Sequence, residues 1–308
     1  MKILITGAAG FIGTNLIPIL LEKNHEIIGI DNFYTGTSEN IKKYFNKINF
    51  IEHDIINNIN IECDFIINLA CPASPIHYQK DPIYTIKVCF NGTLNMLELS
   101  KKLKIPMVQA STSEIYGDPN ISPQEESYWG NVNPIGIRSC YDEGKRAAET
   151  LCFDFRRQFN SDIRVIRIFN TYGPYMAIND GRVVSNFIIK ALRGEDMNVF
   201  GQGDQTRSFC YVSDLVKGIS NLTEDIEYDG HPINLGSDNE MTIKELALRV
   251  IELTKSESKI SYEELPEDDP MQRKPNITRA SNILNWSPEV GLDEGLIKTI
   301  EYFKNTIV

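Results

Sequence analysis

The chain has few metal-binding residues and no metal-binding spacing. Six of its 308 residues are cysteine and four are histidine. The cysteines form no CxxC pair, and the histidines are too scattered to share a metal ion, which argues against a zinc site or a disulfide framework. We therefore expect reduced thiols and no bound metal.

Other functional classes are excluded by what is missing. Gly144-Lys145 lacks the glycine five residues earlier that a P-loop requires, and no GxSxG nucleophile motif occurs. The early apolar stretch is interrupted by Thr6, three glycines and Asn15, so the sequence predicts neither a signal peptide nor a membrane span. We expect a cytoplasmic protein that does not bind membranes.

The charge balance points away from polyanionic partners. Lysine and arginine number 31 and aspartate and glutamate 42, which gives a net charge of −11. This charge argues against nucleic acids and anionic membrane surfaces. It does not exclude a small anionic substrate, because local arginines decide that.

A glycine-rich turn follows the first predicted strand and leads into an amphipathic helix. Gly7 permits a tight turn, Gly10 lets the backbone approach a pyrophosphate, and Gly13 allows the helix to pack closely on the strand. The helix N-terminus adds amide donors and a positive dipole end. We expect the pyrophosphate of a dinucleotide to bind at this turn, which comprises Gly7, Gly10, Phe11, Ile12 and Gly13.

An acidic residue ends the second predicted strand. Asp31 follows the apolar run from residue 26 to residue 30, at the distance from the glycines where an acid accepts hydrogen bonds from the adenosine ribose. A carboxylate there repels a 2′-phosphate, so the sequence predicts NAD rather than NADP.

Apolar runs alternate with helical patterns along the first half of the chain. We predict strands near 2–6, 26–31, 48–53, 64–69, 106–111 and 163–169, and helices near 11–22, 81–103 and 142–159. This alternation predicts an α/β fold of the Rossmann type, with a doubly wound parallel sheet and ligands at the carboxyl ends of the strands.

The predicted domain division is discontinuous. We expect an NAD-binding domain at 1–171, with returning segments near 206–236, and a smaller C-terminal α/β substrate-binding domain mainly at 172–308. Further cofactor contacts are expected at strand ends and in the loops that follow them: Asn32, Phe33, Thr35, Asp54, Ile55, Leu69, Ala70, Cys71, Ala110 and Thr171. For Asp54, a simple turn residue is an equally good interpretation.

Tyr141 and Lys145 lie one helical turn apart, downstream of a polar strand end at Ser111 to Glu114. Such a pair shares one face of a helix. A phenol with a pKa near 10 is a poor base at neutral pH, but a nearby ammonium and an oxidised nicotinamide would lower that pKa. Alone, the pair is typical of many helix surfaces; next to a dinucleotide site it predicts proton transfer and further cofactor contact.

Longer motifs give the chain a family resemblance over essentially its whole length. It resembles the extended short-chain dehydrogenases/reductases that act on nucleotide sugars, and within them the UDP-glucuronate decarboxylases, which form UDP-xylose. The matching stretches include Pro72 to Pro75, Ala110 to Pro119, Cys140 to Arg146, Asp180 to Phe187 and Arg273 to Pro275.

This resemblance implies a reaction sequence. A tyrosinate removes the proton of the sugar C4 hydroxyl while a hydride passes to NAD. The resulting β-keto acid loses carbon dioxide, and the stored hydride then reduces the pentose ketone. In these roles the family pattern implicates Tyr141, Lys145, Thr112 and Ser113, with Glu114 and Arg273 in decarboxylation and protonation.

The resemblance also indicates substrate contacts. Because guanidinium groups bind diphosphate or carboxylate in a bidentate manner, Arg207 and Arg273 are candidates for the anionic parts of the ligand. Arg182 is expected nearer the cofactor. The predicted substrate residues are Thr112, Asn170, Arg207 and Arg273.

Three positions depart from the family pattern. Decarboxylases carry arginine and histidine near Tyr175 and Ala177, and a serine at the position of Cys71. We therefore expect weaker cofactor retention, which would allow NADH and the 4-keto pentose to escape.

The sequence leaves alternative functions open. A 4-epimerase or a 4,6-dehydratase of a neutral nucleotide hexose is the enzyme alternative, although Ser113-Glu114 lacks the Asp-Glu acid of the dehydratases. A non-catalytic NAD-sensing regulator is disfavoured by Tyr141 and Lys145. Helices near 85–103 and 142–159 carry surplus apolar positions, which the family resemblance interprets as a homodimer interface.

Overall fold

The computed structural model describes residues 1–224, 226–266 and 268–307. The strands in these ranges are β1 Lys2–Thr6, β2 Glu26–Asp31, β3 Asn49–Glu52, β4 Phe65–Asn68, β5 Met107–Thr112, β6 Ile163–Ile168, β7 Thr171–Tyr172, β8 Met197–Phe200, β9 Thr206–Ser208, β10 Cys210–Tyr211, β11 Ile233–Leu235, β12 Glu240–Thr242, β13 Ile260–Glu263 and β14 Gln272–Arg273. The α-helices are α1 Phe11–Glu22, α2 Ser38–Ile41, α3 Pro75–Lys80, α4 Pro82–Lys87, α5 Thr93–Leu103, α6 Ser139–Phe159, α7 Val183–Arg193, α8 Val212–Asn221, α9 Ile243–Thr254, α10 Thr278–Leu284 and α11 Leu292–Ile307.

The central sheet of the described residues has seven parallel strands in the order β11-β6-β5-β4-β1-β2-β3. The chain runs outward from β1 in one direction and then, from β4 onward, in the other. Ligands of such sheets bind outside the carboxyl ends of the strands where this direction reverses. The predicted α/β class and doubly wound parallel sheet are confirmed.

Both faces of this sheet are buried, which explains the nearly continuous apolar strands. Ile3 and Ile5 of β1 pack in a core cluster with Leu16 of α1. Leu4, between them, points to the opposite face and packs in a second cluster with Met96 of α5.

The predicted helix at 81–103 is interrupted. Asp81 accepts a hydrogen bond from the backbone N–H of Tyr84 (2.9 Å), and Pro82 occupies the first turn of α4. A π-helical turn at Val88–Gly92 then separates α4 from α5. A π-helical turn has no periodicity of its own in the sequence, so one continuous helix was expected.

Two later strands, β11 and β10, join different sheets. β11 joins the edge of the central sheet beside β6. β10, which was expected to return to the same sheet, pairs instead with β7 in a separate two-stranded sheet.

A small three-stranded sheet places two arginines next to each other. β9 pairs with both β12 and β14, and Arg207 of β9 is in register with Arg273 of β14. In the described part of the chain, no helix combines the length and apolar character that a membrane crossing requires.

Candidate active site

Two adjoining cavities lie at the carboxyl ends of the central strands. The first, of about 610 Å³, is lined by the glycine-rich turn and Asp31. The second, of about 580 Å³, is lined by Tyr141, Lys145 and Glu114. They share wall residues, namely Ile12, Leu69, Cys71, Ala73, Met176 and Arg182. We refer to them as the cofactor cavity and the substrate cavity.

The glycine-rich turn has the geometry of a phosphate site. Gly7 has a φ of +69°, a backbone conformation that residues with side chains rarely adopt. A Cβ on Gly13 would lie 2.3 Å from the Gly7 carbonyl oxygen, so only glycine fits there. No side chain caps the N-terminus of α1, so its first amides are available to a bound anion.

Asp31 is oriented by the backbone. Its carboxylate oxygens accept hydrogen bonds from the N–H groups of Ala9 (3.0 Å) and Phe33 (2.8 Å). Burial raises the pKa of Asp31, and these backbone donors only partly offset that effect. The Phe33 side chain does not line either cavity and packs against Phe50 with ring centroids 5.4 Å apart. The structure therefore places Phe33 outside the lining of both cavities, with its N–H donated to Asp31.

A hydrogen-bonded group anchors Asp54 at the rim of the cofactor cavity. Tyr84 donates its hydroxyl to Asp54 Oδ2 (2.8 Å), and the Asn32 amide donates to the same oxygen (3.0 Å). Asp54 also caps a turn through the Ile56 N–H (3.1 Å). Asp54 is therefore a turn residue that also borders the cofactor cavity, and its contact with the cofactor stays a prediction. Tyr84 was not predicted.

The predicted cofactor residues divide between the two cavities. Those that line the cofactor cavity are Gly7, Gly10, Phe11, Ile12, Gly13, Asp31, Asn32, Thr35, Asp54, Ile55, Leu69, Ala70, Cys71 and Arg182. Those that line only the substrate cavity are Ala110, Tyr141, Lys145 and Thr171. This glycine-turn and acid arrangement fits NAD.

Tyr141 and Lys145 lie on one face of α6 and line the substrate cavity. The Lys145 ammonium donates to the Ala110 carbonyl (3.0 Å) and lies 5.9 Å from the centre of the Tyr141 ring. Tyr78 stacks on Tyr141, with centroids 5.1 Å apart and the planes 4° from parallel. The rings and the anchored lysine fix the position of the phenol.

In the protein without a bound cofactor, the pKa of Tyr141 is raised. Burial raises that pKa well above its usual range, negative charge at Cys71 raises it further, and hydrogen bonding to Thr112 opposes this. The positive charge of an oxidised nicotinamide is therefore needed to favour the phenolate.

Glu114 lies between two guanidinium groups. Arg273 and Arg138 each donate to a different carboxylate oxygen of Glu114. Burial alone would raise the pKa of Glu114, but the two positive charges outweigh it and lower the pKa to about 2. Glu114 is thus ionised at neutral pH and is a hydrogen-bond acceptor.

Two further carboxylates complete this charged cluster. Asp269 accepts from Arg207 (3.1 Å), whose own pKa is lowered by burial. Asp142, on α6, is buried 3.9 Å from the Arg138 guanidinium. Burial, followed by the negative charge of Glu114, raises the pKa of Asp142 to about 8.

The substrate cavity contains buried polar atoms without a partner among the described residues. Ser111 Oγ, Tyr78 Oη and Arg273 Nε are three of them. Buried polar groups are normally hydrogen-bonded, so these three atoms leave hydrogen-bonding capacity unused in the wall of the cavity.

The remaining predicted residues also lie at this cavity. Thr112 accepts the Glu114 N–H through its hydroxyl (3.2 Å), and Ser113 lies 3.5 Å from an Arg273 nitrogen. Asn170 lines the wall, and its backbone carbonyl accepts the Cys210 N–H (2.9 Å). Arg182, paired with Asp180, belongs to both cavities.

Some site residues were missed by the sequence analysis. Arg138 and Asp142 are four residues apart, the spacing of a helical ion pair, which could have drawn attention to them. Asp269 carried no comparable signal. Within the described part of the chain, no group of three or more His, Cys, Asp or Glu side chains is placed to hold a metal ion.

All three positions that depart from the family pattern border the cofactor cavity, and Cys71 lines the substrate cavity as well. Tyr175 and Ala177 line the cofactor cavity. Tyr175 has a φ of +71°, and its hydroxyl is hydrogen-bonded to the Lys43 ammonium (2.6 Å).

The fold and site define a dinucleotide-dependent enzyme of the extended dehydrogenase/reductase type, and the comparisons agree. The chain belongs to the NAD dependent epimerase/dehydratase family, whose model matches residues 3–236. The family assignment confirms the predicted NAD dependence.

Three individual proteins that resemble this chain are enzymes of UDP-sugars. The chain is 54% identical over 307 residues to UDP-glucuronic acid decarboxylase 5 of Arabidopsis thaliana, covering 99% of this chain and 89% of the relative. It superposes on the UDP-glucose 4-epimerase of Thermotoga maritima with a TM-score of 0.92, 28% identity and full coverage of both chains. The UDP-glucuronic acid 4-epimerase of Bacillus cereus, solved with UDP-glucuronic acid and NAD, gives a TM-score of 0.88 and 28% identity, with 99% of this chain and 100% of that chain covered. The predicted resemblance to the decarboxylases is confirmed.

Proposed function

We propose that the protein is an NAD-dependent UDP-glucuronate decarboxylase, a carboxy-lyase that forms UDP-xylose. The observation that carries the proposal is the position of Glu114, bound by Arg138 and Arg273 in the cavity that holds Tyr141 and Lys145. The 54% sequence identity to a UDP-glucuronic acid decarboxylase over 99% of this chain supports the proposal.

The cofactor cavity supplies the contacts that NAD requires. The amides of the glycine-rich turn would bind the pyrophosphate, and Asp31 would accept hydrogen bonds from the adenosine ribose. NAD supplies two-electron oxidation at the sugar C4 carbon and the later reduction of the ketone. The shared wall between the cavities brings the two ligands together.

Tyr141 is the proposed base for the C4 hydroxyl. Its stacking on Tyr78 holds the ring, and Lys145 places a positive charge nearby while bound to the Ala110 carbonyl. Thr112, which affects the pKa of the phenol, is placed to bind the oxygen at C4. We expect the phenolate to form as the site is filled.

The charged cluster is suited to a substrate carboxylate. Arg273 has one buried nitrogen free of protein partners, and Arg207 lies beside it across the small sheet. We propose that these two arginines bind the anionic groups of the substrate. Ser113 provides no acid for expelling water, which disfavours a dehydratase.

Glu114 takes a more limited part than the family resemblance suggested. A carboxylate with a pKa of about 2 does not donate a proton at neutral pH. We propose that Glu114 positions Arg138 and Arg273 and keeps them paired, and that it acts in protonation only as a hydrogen-bond acceptor.

One assay tests the activity. The purified chain is incubated with NAD and UDP-glucuronate, and the sugar nucleotide is identified by NMR, with UDP-glucose as a parallel substrate. UDP-xylose supports the proposal, and accumulation of NADH with the 4-keto pentose indicates an incomplete cycle of the same enzyme. Epimerised UDP-galacturonate, or consumption of UDP-glucose alone, would contradict it.

We also propose a homodimer. Ile83 and Ile86 of α4 and Phe90 of the following π-helical turn are 64%, 40% and 40% exposed, and we infer that they form one apolar surface. A second copy would cover this surface.

The division into an NAD-binding domain and a smaller substrate-binding domain stays a proposal. It is supported by Arg207 and Arg273, which reach the substrate cavity from the C-terminal part of the chain. A cytoplasmic location is likewise a proposal.

A further inference from the structure

Two cysteine thiols touch at the wall shared by the cavities. The sulfur of Cys71 lies 3.3 Å from that of Cys89. Cys71 follows β4 and lines both cavities, whereas Cys89 is in the π-helical turn and is 2% exposed. An oxidant that enters either cavity therefore meets Cys71 first, with Cys89 directly behind it.

Cys89 also supports the helix that carries the proposed base. A Cβ placed on Gly144 of α6 would lie 3.1 Å from the Cys89 sulfur, so sulfur and helix backbone are in close contact. Cys89 packs in one small cluster with Tyr141 and Tyr78. Movement of this sulfur would disturb the position of Tyr141 and Lys145.

The two thiols differ in reactivity. Burial would raise the pKa of Cys71, but hydrogen bonding with Cys89 and the charge of Lys145 lower it to about 7. The same hydrogen bond, together with burial, raises the pKa of Cys89. The pair thus has one thiolate suited to attack and one thiol suited to resolve the product.

We propose that Cys71 and Cys89 are a modification site, a dithiol that hydrogen peroxide converts to a disulfide and thereby inactivates the enzyme. The Cys71 thiolate attacks one peroxide oxygen, the O–O bond breaks, and hydroxide leaves, which gives a sulfenic acid. The Cys89 sulfur, after losing its proton to the first hydroxide, attacks the sulfenic sulfur and displaces a second hydroxide, which takes up from solvent the proton that Cys71 released on ionisation and leaves as water. Both sulfurs are oxidised by one electron each, and the peroxide is reduced to two waters.

The bond requires the sulfurs to close from 3.3 Å to about 2.05 Å. This closure pulls Cys71, and the cavity wall that it forms, toward the π-helical turn. It also shifts the Cys89 sulfur away from its contact with α6. The other cysteines do not share this geometry. Cys140, which is partly exposed near Tyr78, has its pKa raised to about 11 by burial and the charge of Asp142, so it is a matched control.

The test treats the full chain with hydrogen peroxide, with and without saturating NAD. Non-reducing peptide mapping follows the linkage, and intact mass follows the loss of two hydrogen atoms. We expect a Cys71–Cys89 peptide and at least roughly tenfold loss of activity that dithiothreitol reverses. NAD should slow the reaction because Cys71 lines the cofactor cavity.

Two substitutions complete the design. Cys89→Ser, compared with its own untreated activity, should form no disulfide and fail to show the thiol-reversible loss, whereas Cys140→Ser should behave as the wild type does. Cys89→Ala serves if the serine variant is poorly folded. A different linkage, no linkage under conditions that oxidise Cys71, or an unchanged reversible loss in Cys89→Ser would overturn the proposal. The loss of activity can be measured only if the proposed function is correct. The peptide mapping, the intact mass and the protection by NAD do not depend on that function, so failure of the disulfide proposal can be distinguished from failure of the proposed function.

Discussion

Glu114 and Arg273 form an ion pair in the substrate cavity although they lie 159 positions apart in the chain. Arg273 is 2% exposed and Glu114 16% in their side chains, so the pair is largely shielded from water. Removal of one partner leaves a buried charge uncompensated. The pair therefore matters for stability as well as for chemistry.

Glu114→Gln is expected to lower both the stability of the protein and its catalytic rate. Loss of the carboxylate leaves Arg273 without its acidic partner and removes the shortest ion pair of Arg138, which should cost about 3–5 kcal/mol in the free energy of unfolding and about 100-fold or more in kcat. Urea denaturation and steady-state kinetics measure the two effects.

A second buried ion pair offers the control. Glu149 of α6 binds Arg167 through two hydrogen bonds of 3.0 and 2.8 Å, outside the lining of either cavity. Glu149→Gln should lose comparable stability and keep kcat within a few-fold. An equal loss of kcat in both variants would show that the Glu114 effect is only structural.

Tyr141→Phe should abolish turnover. Removal of the hydroxyl takes away the proposed base, and general base catalysis contributes about 10²- to 10⁴-fold, while the stacking on Tyr78 is retained. Titration with NAD, followed by quenching of protein fluorescence, should give nearly the wild-type dissociation constant. Full activity in this variant would remove the base assignment.

Asp142 should make stability depend on pH. Its pKa is raised to about 8 in the folded protein, against about 3.9 in an unfolded chain. Between these values the folded state binds the extra proton, so this residue lowers stability progressively as the pH rises from about 4 to 8.

Asp142→Asn removes that titration. We expect the stability of the variant relative to wild type to rise by about 4 kcal/mol between pH 5 and pH 8, as measured by urea denaturation at each pH. A stability difference between variant and wild type that does not change with pH would contradict the raised pKa.

Asp31→Asn should weaken discrimination between cofactors. The carboxylate is held by the N–H groups of Ala9 and Phe33, and hydrogen bonds to charged groups contribute about 1.5–3 kcal/mol. We expect the dissociation constant for NAD to rise roughly tenfold or more and the preference over NADP to shrink. Parallel titrations with both cofactors check this, and an unchanged ratio of affinities would speak against the ribose contact.

Ile83→Asp should dissociate the proposed homodimer. Ile83 is 64% exposed on α4, and a buried charge there should cost about 2 kcal/mol or more of association free energy. Leu248→Asp on α9, where leucine is 52% exposed, is the matched control. Analytical ultracentrifugation distinguishes the two, and a monomeric wild type would remove the proposal.

Local patterns predicted the NAD-binding half well because its elements are regular. The strand Lys2–Thr6, the glycine turn and Asp31 follow one another in the chain and meet at one edge of the sheet. Local patterns did not identify Arg138 as a site residue. Its partner Glu114 belongs to a different element, and nothing in the spacing of the two residues indicates their contact.

The pKa of Tyr141 shows a second limit of the sequence. Burial raises this pKa in the protein without cofactor, and burial depends on the packing of Tyr78 and of the cavity wall, which the spacing of Tyr141 and Lys145 does not reveal. The lowering by Lys145 together with an oxidised nicotinamide stays a prediction. The contact between Cys71 and Cys89 likewise arises from the π-helical turn, which interrupts a helix that the sequence predicts to be continuous.

The most direct measurement follows the carboxyl carbon of the substrate. UDP-glucuronate labelled with ¹³C at C6 is incubated with the purified protein and NAD, and both labelled carbon dioxide and the sugar nucleotide are quantified. The account predicts one labelled carbon dioxide for each substrate consumed, together with a five-carbon sugar nucleotide. Label retained in a six-carbon product, with no carbon dioxide released, would contradict it.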